Sequence, residues 1–355
     1  NLTVAQVNAE LFKPENERLF KSCAHRLGYL HDSDAAKDLA NSWTGAGAPL
    51  EDVSSCSAEQ LACLSYIAPV FPETVLASLE LAAKKPGFAS RANPSFVKVV
   101  RLLCQLAYED ASFERAADLI LMFAETEEAG ERNNSVVGNM KHLFSLYLSG
   151  TEATPIRRQA YVARLFSSSN VRHNEIAAEL FHSAFEASHW SSFSTFDFGA
   201  RRRSSGWRPS TRGEKLDWYG GFIDIVAQAL SGTDQQKIAL AKKLMSSHFR
   251  GLWTFAGCFD ALEALVKEHA QSGAWPDLWI SIKNVIFFDG ERHAPELRDR
   301  LLALEKQAAP NDPYSEMEAY ALSSTWDHAE VKGGKYSEAV QSVNEKIIKL
   351  GELAC

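Results

Sequence analysis

The sequence contains no run of about 18 uncharged apolar residues, because Lys, Glu or Asp interrupts each candidate, so no membrane-spanning helix is expected. No basic segment followed by an apolar one stands at its start, and the opening Asn1-Leu2-Thr3, without Met, reads as the beginning of a piece cut from a longer chain. Phosphate loops of the form G-x-x-x-x-G-K-S/T are missing, as is G-x-G-x-x-G after a strand, so nucleotide binding within this piece has no support. With neither H-E-x-x-H nor G-x-S-x-G, no zinc-protease helix and no nucleophile elbow is present, and catalysis is not expected. Strict alternation of polar and apolar residues is scarce, which argues against a sheet.

Cysteine is sparse. Cys23, Cys56, Cys63, Cys104, Cys258 and Cys355 are scattered, several of them among Leu and Ala in helical patterns where a thiol behaves as a small apolar group. A reducing, cytoplasmic compartment is expected. Cys56 and Cys63 have no partner pair and are read as buried thiols rather than zinc ligands, and His182 and His189, seven apart, are read as surface or core residues. No metal or cofactor is expected.

What is present is helical periodicity from end to end in a chain of 355 residues that is 46% hydrophobic, 23% charged and carries a formal net charge of -8. That size calls for two domains or an elongated array, and the acidic balance disfavours a general nucleic-acid or anionic-membrane surface. Leu61, Leu64, Ile67 and Ala68 form an apolar stripe ending at Pro69, and a new helix starts at Pro72, where a missing N–H costs nothing. The design recurs with Val99, Leu102, Leu103 and Leu106 before Phe113, Ala116, Ile120 and Phe123. It recurs again with Leu143, Phe144, Tyr147 and Leu148 before Pro155, Ile156, Val162 and Leu165. Stripes beginning near Leu61, Leu102 and Leu143 repeat at about 41 residues, the period of stacked helix pairs that cannot bury their faces alone. The expected fold is all-α, an irregular HEAT/TPR-like α-solenoid, with an irregular bundle as the alternative. Leu64, Leu103, Leu106, Phe113 and Leu146 are expected between successive pairs.

Further helices are expected at 4–30, 33–43, 171–188, 212–230, 234–249, 254–272, 275–288, 294–308, 314–327 and 336–353, separated by Gly, Pro, Asn and Asp turns. The aromatic residues Trp218, Tyr219, Phe222, Trp253, Phe255, Trp275, Trp279, Phe287 and Phe288 recur at helical spacing and are read as core. The chain divides into an N-terminal helical segment at 1–48, helix-pair repeats at 49–189, an arginine- and aromatic-rich loop at 190–211 and C-terminal helical repeats at 212–355.

That loop is the feature with a chemistry of its own. Arg201, Arg202, Arg203, Arg208 and Arg212 cluster there with Phe198, Trp207 and Pro209 in an otherwise acidic chain. Long ordered loops are usually functional or docked. Guanidinium groups pair with phosphate or carboxylate in bidentate fashion, and Trp207 can stack on a base or a guanidinium, so Arg201, Arg202, Arg203, Trp207, Arg208 and Arg212 are candidates for contact with a partner or an anion. The same arginines can instead anchor the loop on helix-end carbonyls or acidic side chains. Arg201, Arg203 and Trp207 are assigned to anchoring, and Arg202 and Arg208 to a protein partner. Asp197-Phe198-Gly199 matches a kinase metal-binding triplet without any of its companion motifs, and is read as coincidence.

Several of these segments also carry a resemblance. They are Leu64-x-x-Ile67-Ala68-Pro69-Val70-x-Pro72, Leu103-x-x-Leu106-Ala107-Tyr108-Glu109 with Phe113-Glu114-Arg115-Ala116, Leu146-Tyr147-Leu148-Ser149-Gly150-Thr151, Phe196-Asp197-Phe198-Gly199-Ala200-Arg201 and Gly206-Trp207-x-Pro209. Together, over about residues 50–225, they resemble the helical region of large bacterial STAND-type P-loop NTPases. The resemblance implies a sensing or scaffolding arm that follows an ATPase core, in a class with members implicated in defence against phages. Its partners would be a protein or other domains of the parent chain, and it carries over no catalytic residue. The alternative is a nucleic-acid-binding helical repeat that uses the basic loop 201–212.

Overall fold

Helix starts follow the capping chemistry of the sequence. The computed structural model describes residues 3–45, 47–128, 130, 131, 133–191, 196–270, 274–322 and 336–354. Thr3 and Gln6 form a capping box that opens α1 (Val4–Leu11). Pro14 has no N–H with which to prolong that helix, so a 3-10 turn, Pro14–Asn16, intervenes before α2 (Glu17–Leu27), and the single helix expected over 4–30 is two. Ser33 caps α3 (Asp34–Thr44), and the Ser57/Gln60 box opens α4 (Ala58–Ile67). Then come α5 (Pro72–Ala83), α6 (Phe96–Leu106), α7 (Asp110–Glu125), α8 (Val136–His142), α9 (Pro155–Ser167) and α10 (Val171–Ala184).

A Thr211/Glu214 box starts α11 (Arg212–Leu230), and Asp234 caps α12 (Gln235–Arg250). The chain continues through α13 (Phe259–His269), α14 (Pro276–Asp289), α15 (Pro295–Ala308), α16 (Pro313–Leu322) and α17 (Tyr336–Ala354). The helix expected over 254–272 starts late because α12 runs into a π-helical turn, Gly251–Ala256, that Gly257 ends at φ 79°. The fold is all-α: among the described residues there is no strand, only an isolated pairing of Phe198 with Arg201. No described helix is long and apolar enough to cross a membrane.

The third apolar stripe departs from expectation. Helix α8 stops at His142, and Leu143, Phe144, Leu146 and Leu148 lie beyond it in irregular chain. Arg158, fully buried, donates through Nη1 to the carbonyls of Leu143 (3.3 Å) and Ser145 (3.1 Å), taking acceptors that a longer helix would have used itself. Leu148 then turns at φ 58°, a left-handed conformation that costs a non-glycine residue about 1 kcal/mol or more. Leu143, Phe144 and Leu146 are nonetheless buried.

The chain forms two compact units, Asn1–Tyr161 with Ser191–Arg208 and Val162–Trp190 with Pro209–Cys355. In the first, α2, α4, α6 and α8 pack successively on one another, and α1, α3, α5 and α7 do the same. Each helix thus meets the next but one, as stacked pairs require. In the second, α10, α12, α14 and α16 form one such layer and α11, α13 and α15 the other. Leu64, Leu103, Leu106 and Phe113 are buried on the helices of the first unit, and Leu146 is buried from irregular chain. Phe181, Phe185, Trp218 and Phe222 fill the second, where Trp218 Nε1–H is satisfied by the carbonyl of Ala184 at 2.9 Å.

Candidate functional site

The arginine loop folds as a strap within the first unit, across the C-terminal ends of the α2, α4 and α6 layer and the turn after α8. Its first turn explains the Asp197-Phe198-Gly199 triplet. Phe198 is 2% exposed, Arg201 N–H donates to the carbonyl of Phe198 at 3.1 Å, and Gly199 between them sits at φ 60°. A Cβ on Gly199 would overlap the carbonyl oxygen of Gly28, just past α2, and lie 2.9 Å from the Pro69 ring, just past α4. Glycine is required there by both backbone conformation and space. Asp197 is exposed.

Beyond this turn, alternate residues address successive helix ends. Arg201 Nε–H donates to the carbonyl of Pro69, after α4. Arg203 Nη1–H donates to the carbonyl of Gln105 in the last turn of α6 at 2.7 Å. Its guanidinium lies 3.8 Å from the ring centre of Phe198 and 4.4 Å from that of Tyr108. Both contacts place a cation where the helix dipole leaves negative charge, and the stacked rings add a cation–π term. Burial pushes the Arg203 pKa down to about 10, with Glu109 opposing, so it stays charged at neutral pH.

The distal end is held by main chain. Gly150 N–H donates to Ser205 O at 2.9 Å and Trp207 N–H to Thr151 O at 2.7 Å. Gly206, at φ 98°, lies so close that a Cβ would come within 2.7 Å of Thr151 N. Ser204 N–H donates to the Tyr108 hydroxyl at 2.9 Å, and that hydroxyl donates to Glu152 at 3.1 Å. The half-buried Trp207 ring faces Arg158, whose Cζ lies 5.5 Å from its centre. Burial pushes the Arg158 pKa down to about 9, against the pull of Glu152.

The structure therefore brings Arg201, Arg203 and Trp207 together as anchors, and their partners are carbonyls and main chain rather than carboxylates. Arg202 and Arg208 are exposed on the strap. Arg212 is exposed too, but it is the first residue of α11 in the second unit. Tyr108, Glu152, Thr151 and Arg158 complete the site and were not singled out as site residues from sequence; the only signal was that Tyr108 and Thr151 stand inside segments that carry the resemblance.

Other candidate groups are not part of the strap. His182 Nδ1 lies 2.7 Å from His248 Nε2 on α12, whereas His189 is exposed and donates its N–H to Glu186. Burial, then the neighbouring His182, pushes the His248 pKa down to about 4, with Glu186 opposing. The described cysteines are free, and burial raises the Cys56 and Cys63 thiols to about 11 and those of Cys104 and Cys258 to about 12. Cys355 lies outside the described residues. Among the described residues no three His, Cys, Asp or Glu side chains converge as metal ligands would. Trp218, Tyr219, Phe222, Trp253, Trp275 and Trp279 are buried as expected, but Phe255, Phe287 and Phe288 are exposed.

No protein-family model matches the chain, and no curated protein is similar to it at a significant level.

Proposed function

We propose that this chain is a non-catalytic helical scaffold or sensor arm that recognises protein, within a larger bacterial NTPase of the STAND type and in a reducing cytoplasm. Phage defence is the setting that the resemblance implies. The observation that carries the reading is the strap itself. Layered helix ends hold an extended segment through main-chain bonds and alternate arginines, while Arg202 and Arg208 face outward. The segments on which the resemblance rests, around Pro69, Tyr108, Gly150 and residues 196–207, meet in this one place, which supports treating them as a unit. Stacked pairs offer many separate contact positions, which suits recognition by shape and charge. Coupling to a distant ATPase requires a partner that favours one arrangement of the arm over another.

Two measurements test this. The open reading frame that encodes Asn1–Cys355 should carry a G-x-x-x-x-G-K-S/T loop upstream, and the purified chain should show no ATPase, nuclease or protease turnover above a contaminant control. Turnover that a point substitution in this chain abolishes would overturn the reading. Binding of a fluorescent oligonucleotide that falls steeply with salt, and is lost in Arg202→Glu/Arg208→Glu, would replace it with the nucleic-acid alternative.

A further inference from the structure

In the second unit the C-terminal ends of α12 and α14, neighbours in one layer, meet around one buried carboxylate. Asp289, the last residue of α14, is 0% exposed. It accepts from Arg250 Nε (2.7 Å) and Nη2 (3.2 Å) and from Thr254 Oγ1 (3.3 Å), and Arg292 Nη1 lies 3.5 Å away. Around this hub the aromatic side chains point outward. Phe255, Phe287 and Phe288 are 44%, 49% and 42% exposed, the Phe287 and Phe288 rings are 5.0 Å apart, and the Arg250 guanidinium lies 4.9 Å from the Phe288 ring. Lys215 Nζ donates to the carbonyl of Phe255 at 2.9 Å, and the Arg292 side chain is 72% exposed.

Exposed large aromatics at adjoining helix ends have a cost in water, and aromatics with arginine are the composition of interface centres. The π-helical turn that carries Phe255 is a form common at functional sites. The charge selects the partner. Arg250, Arg292 and Lys215 outnumber Asp289 and the exposed Glu291, and Asp289 is already enclosed, so the outward charge is positive in a chain of net charge -8. Three exposed rings beside few basic side chains suit a peptide better than a polyphosphate backbone, which needs a longer basic surface. The first unit supplies the form of the occupant: residues two apart, Arg201 and Arg203, reach neighbouring helix ends. Helices pack about 8–10 Å apart, and two extended residues plus their side chains cover that distance.

We propose that the ends of α12 and α14 form a docking surface for an extended acidic peptide of a partner protein, with a large apolar side chain on Phe255, Phe287 and Phe288 and a carboxylate on Arg292. This inference rests on the scaffold reading for its class of partner but not for its location, which is in the second unit while the strap belongs to the first.

The test is to pan displayed random dodecapeptides on the 355-residue chain and to measure the best synthetic peptide by fluorescence anisotropy. Enriched peptides should carry Asp or Glu two or three residues from Phe, Leu or Trp. Affinity should fall at least about tenfold in Phe287→Ser/Phe288→Ser, whose thermal midpoint should fall by only a few degrees because both side chains are about half exposed. Arg292→Glu should invert the preference, so that the peptide with Lys in place of its acid binds better. Peptides without acids, or binding equal in all these variants, would overturn the docking surface. Loss only in Arg202→Glu/Arg208→Glu would overturn it while leaving the scaffold reading in place, and a failure to enrich any peptide would count against both.

Discussion

The two units meet the same demand at their helix ends in different ways. In the first, the ends of α2, α4 and α6 lie under the strap, and Arg201 and Arg203 reach main-chain carbonyls. In the second, Arg250 and Arg292 turn to Asp289, an acid at a helix C-terminus where the dipole disfavours it. The docked strap encloses Phe198 and half-buries Trp207. The local ion cluster satisfies charge without covering Phe255, Phe287 or Phe288. Arginine and aromatic residues thus close over one set of helix ends, whereas at the other the arginines pair with a carboxylate and the rings stay exposed.

The largest expected effect separates those two kinds of aromatic. Phe198→Ala removes a buried ring from beneath Arg203 and should cost about 3–5 kcal/mol. Phe288→Ala removes an exposed ring that lies against Arg250 and Phe287 and should cost about 0.5–1 kcal/mol. Urea unfolding of the two variants beside the parent measures both. Equal losses would mean that Phe198 is no better enclosed than Phe288, and the comparison would break. Gly199→Val, which forces a branched side chain against Gly28 and Pro69, should release the strap and open residues 199–208 to limited proteolysis in a way that Phe288→Ala does not.

Acid should weaken the second unit through its histidine pair. The His248 pKa lies at about 4, below the ordinary value of 6.5, so the unfolded chain binds this proton more readily. The stabilisation from keeping His248 neutral is complete above about pH 6.5 and is lost as pH falls towards 4, a difference of about 3 kcal/mol at most. His182 and Glu186 face it from α10 and the segment that follows, and Phe185 packs 5.6 Å away. In the first unit, burial and then Lys141 lower the His142 pKa, so some loss is expected there too. His248→Gln should flatten the urea midpoint of the second unit between pH 6.5 and 4. An unchanged slope would show that the proton is taken up elsewhere.

Most of the helices could be read from the sequence because their signals are local. Ser57 and Gln60, Thr211 and Glu214, and the prolines at 72, 155, 276, 295 and 313 mark starts that need no tertiary information. The early end of α8 could not be read, since it depends on Arg158 reaching back to Leu143 and Ser145, and its stripe looked helical. The split of α1 from α2 is marked in the sequence by Pro14, which the single span 4–30 runs through. Anchoring by Arg201 and Arg203 followed from their density in an acidic chain, whereas the identity of their acceptors, Pro69 and Gln105, required the fold. Phe287 and Phe288 were misread as core because helical spacing does not reveal which face a layer leaves uncovered.

The smallest expected effect distinguishes neighbours on the strap. Arg203 donates to Gln105 O and stacks between Phe198 and Tyr108, so Arg203→Ala should cost about 1–3 kcal/mol, the range for a hydrogen bond from a charged group with added cation–π contact. Arg203→Lys keeps the charge but not the planar face that lies on both rings, and should fall between Ala and the parent. Arg202 is exposed, and Arg202→Ala should stay within about 0.5 kcal/mol. Thermal unfolding of the three variants in one buffer gives the ranking. If Arg202→Ala proved as costly as Arg203→Ala, the strap would be held by its overall positive charge rather than by alternate residues at successive helix ends, and the spacing argument for a peptide over α12 and α14 would lose its basis.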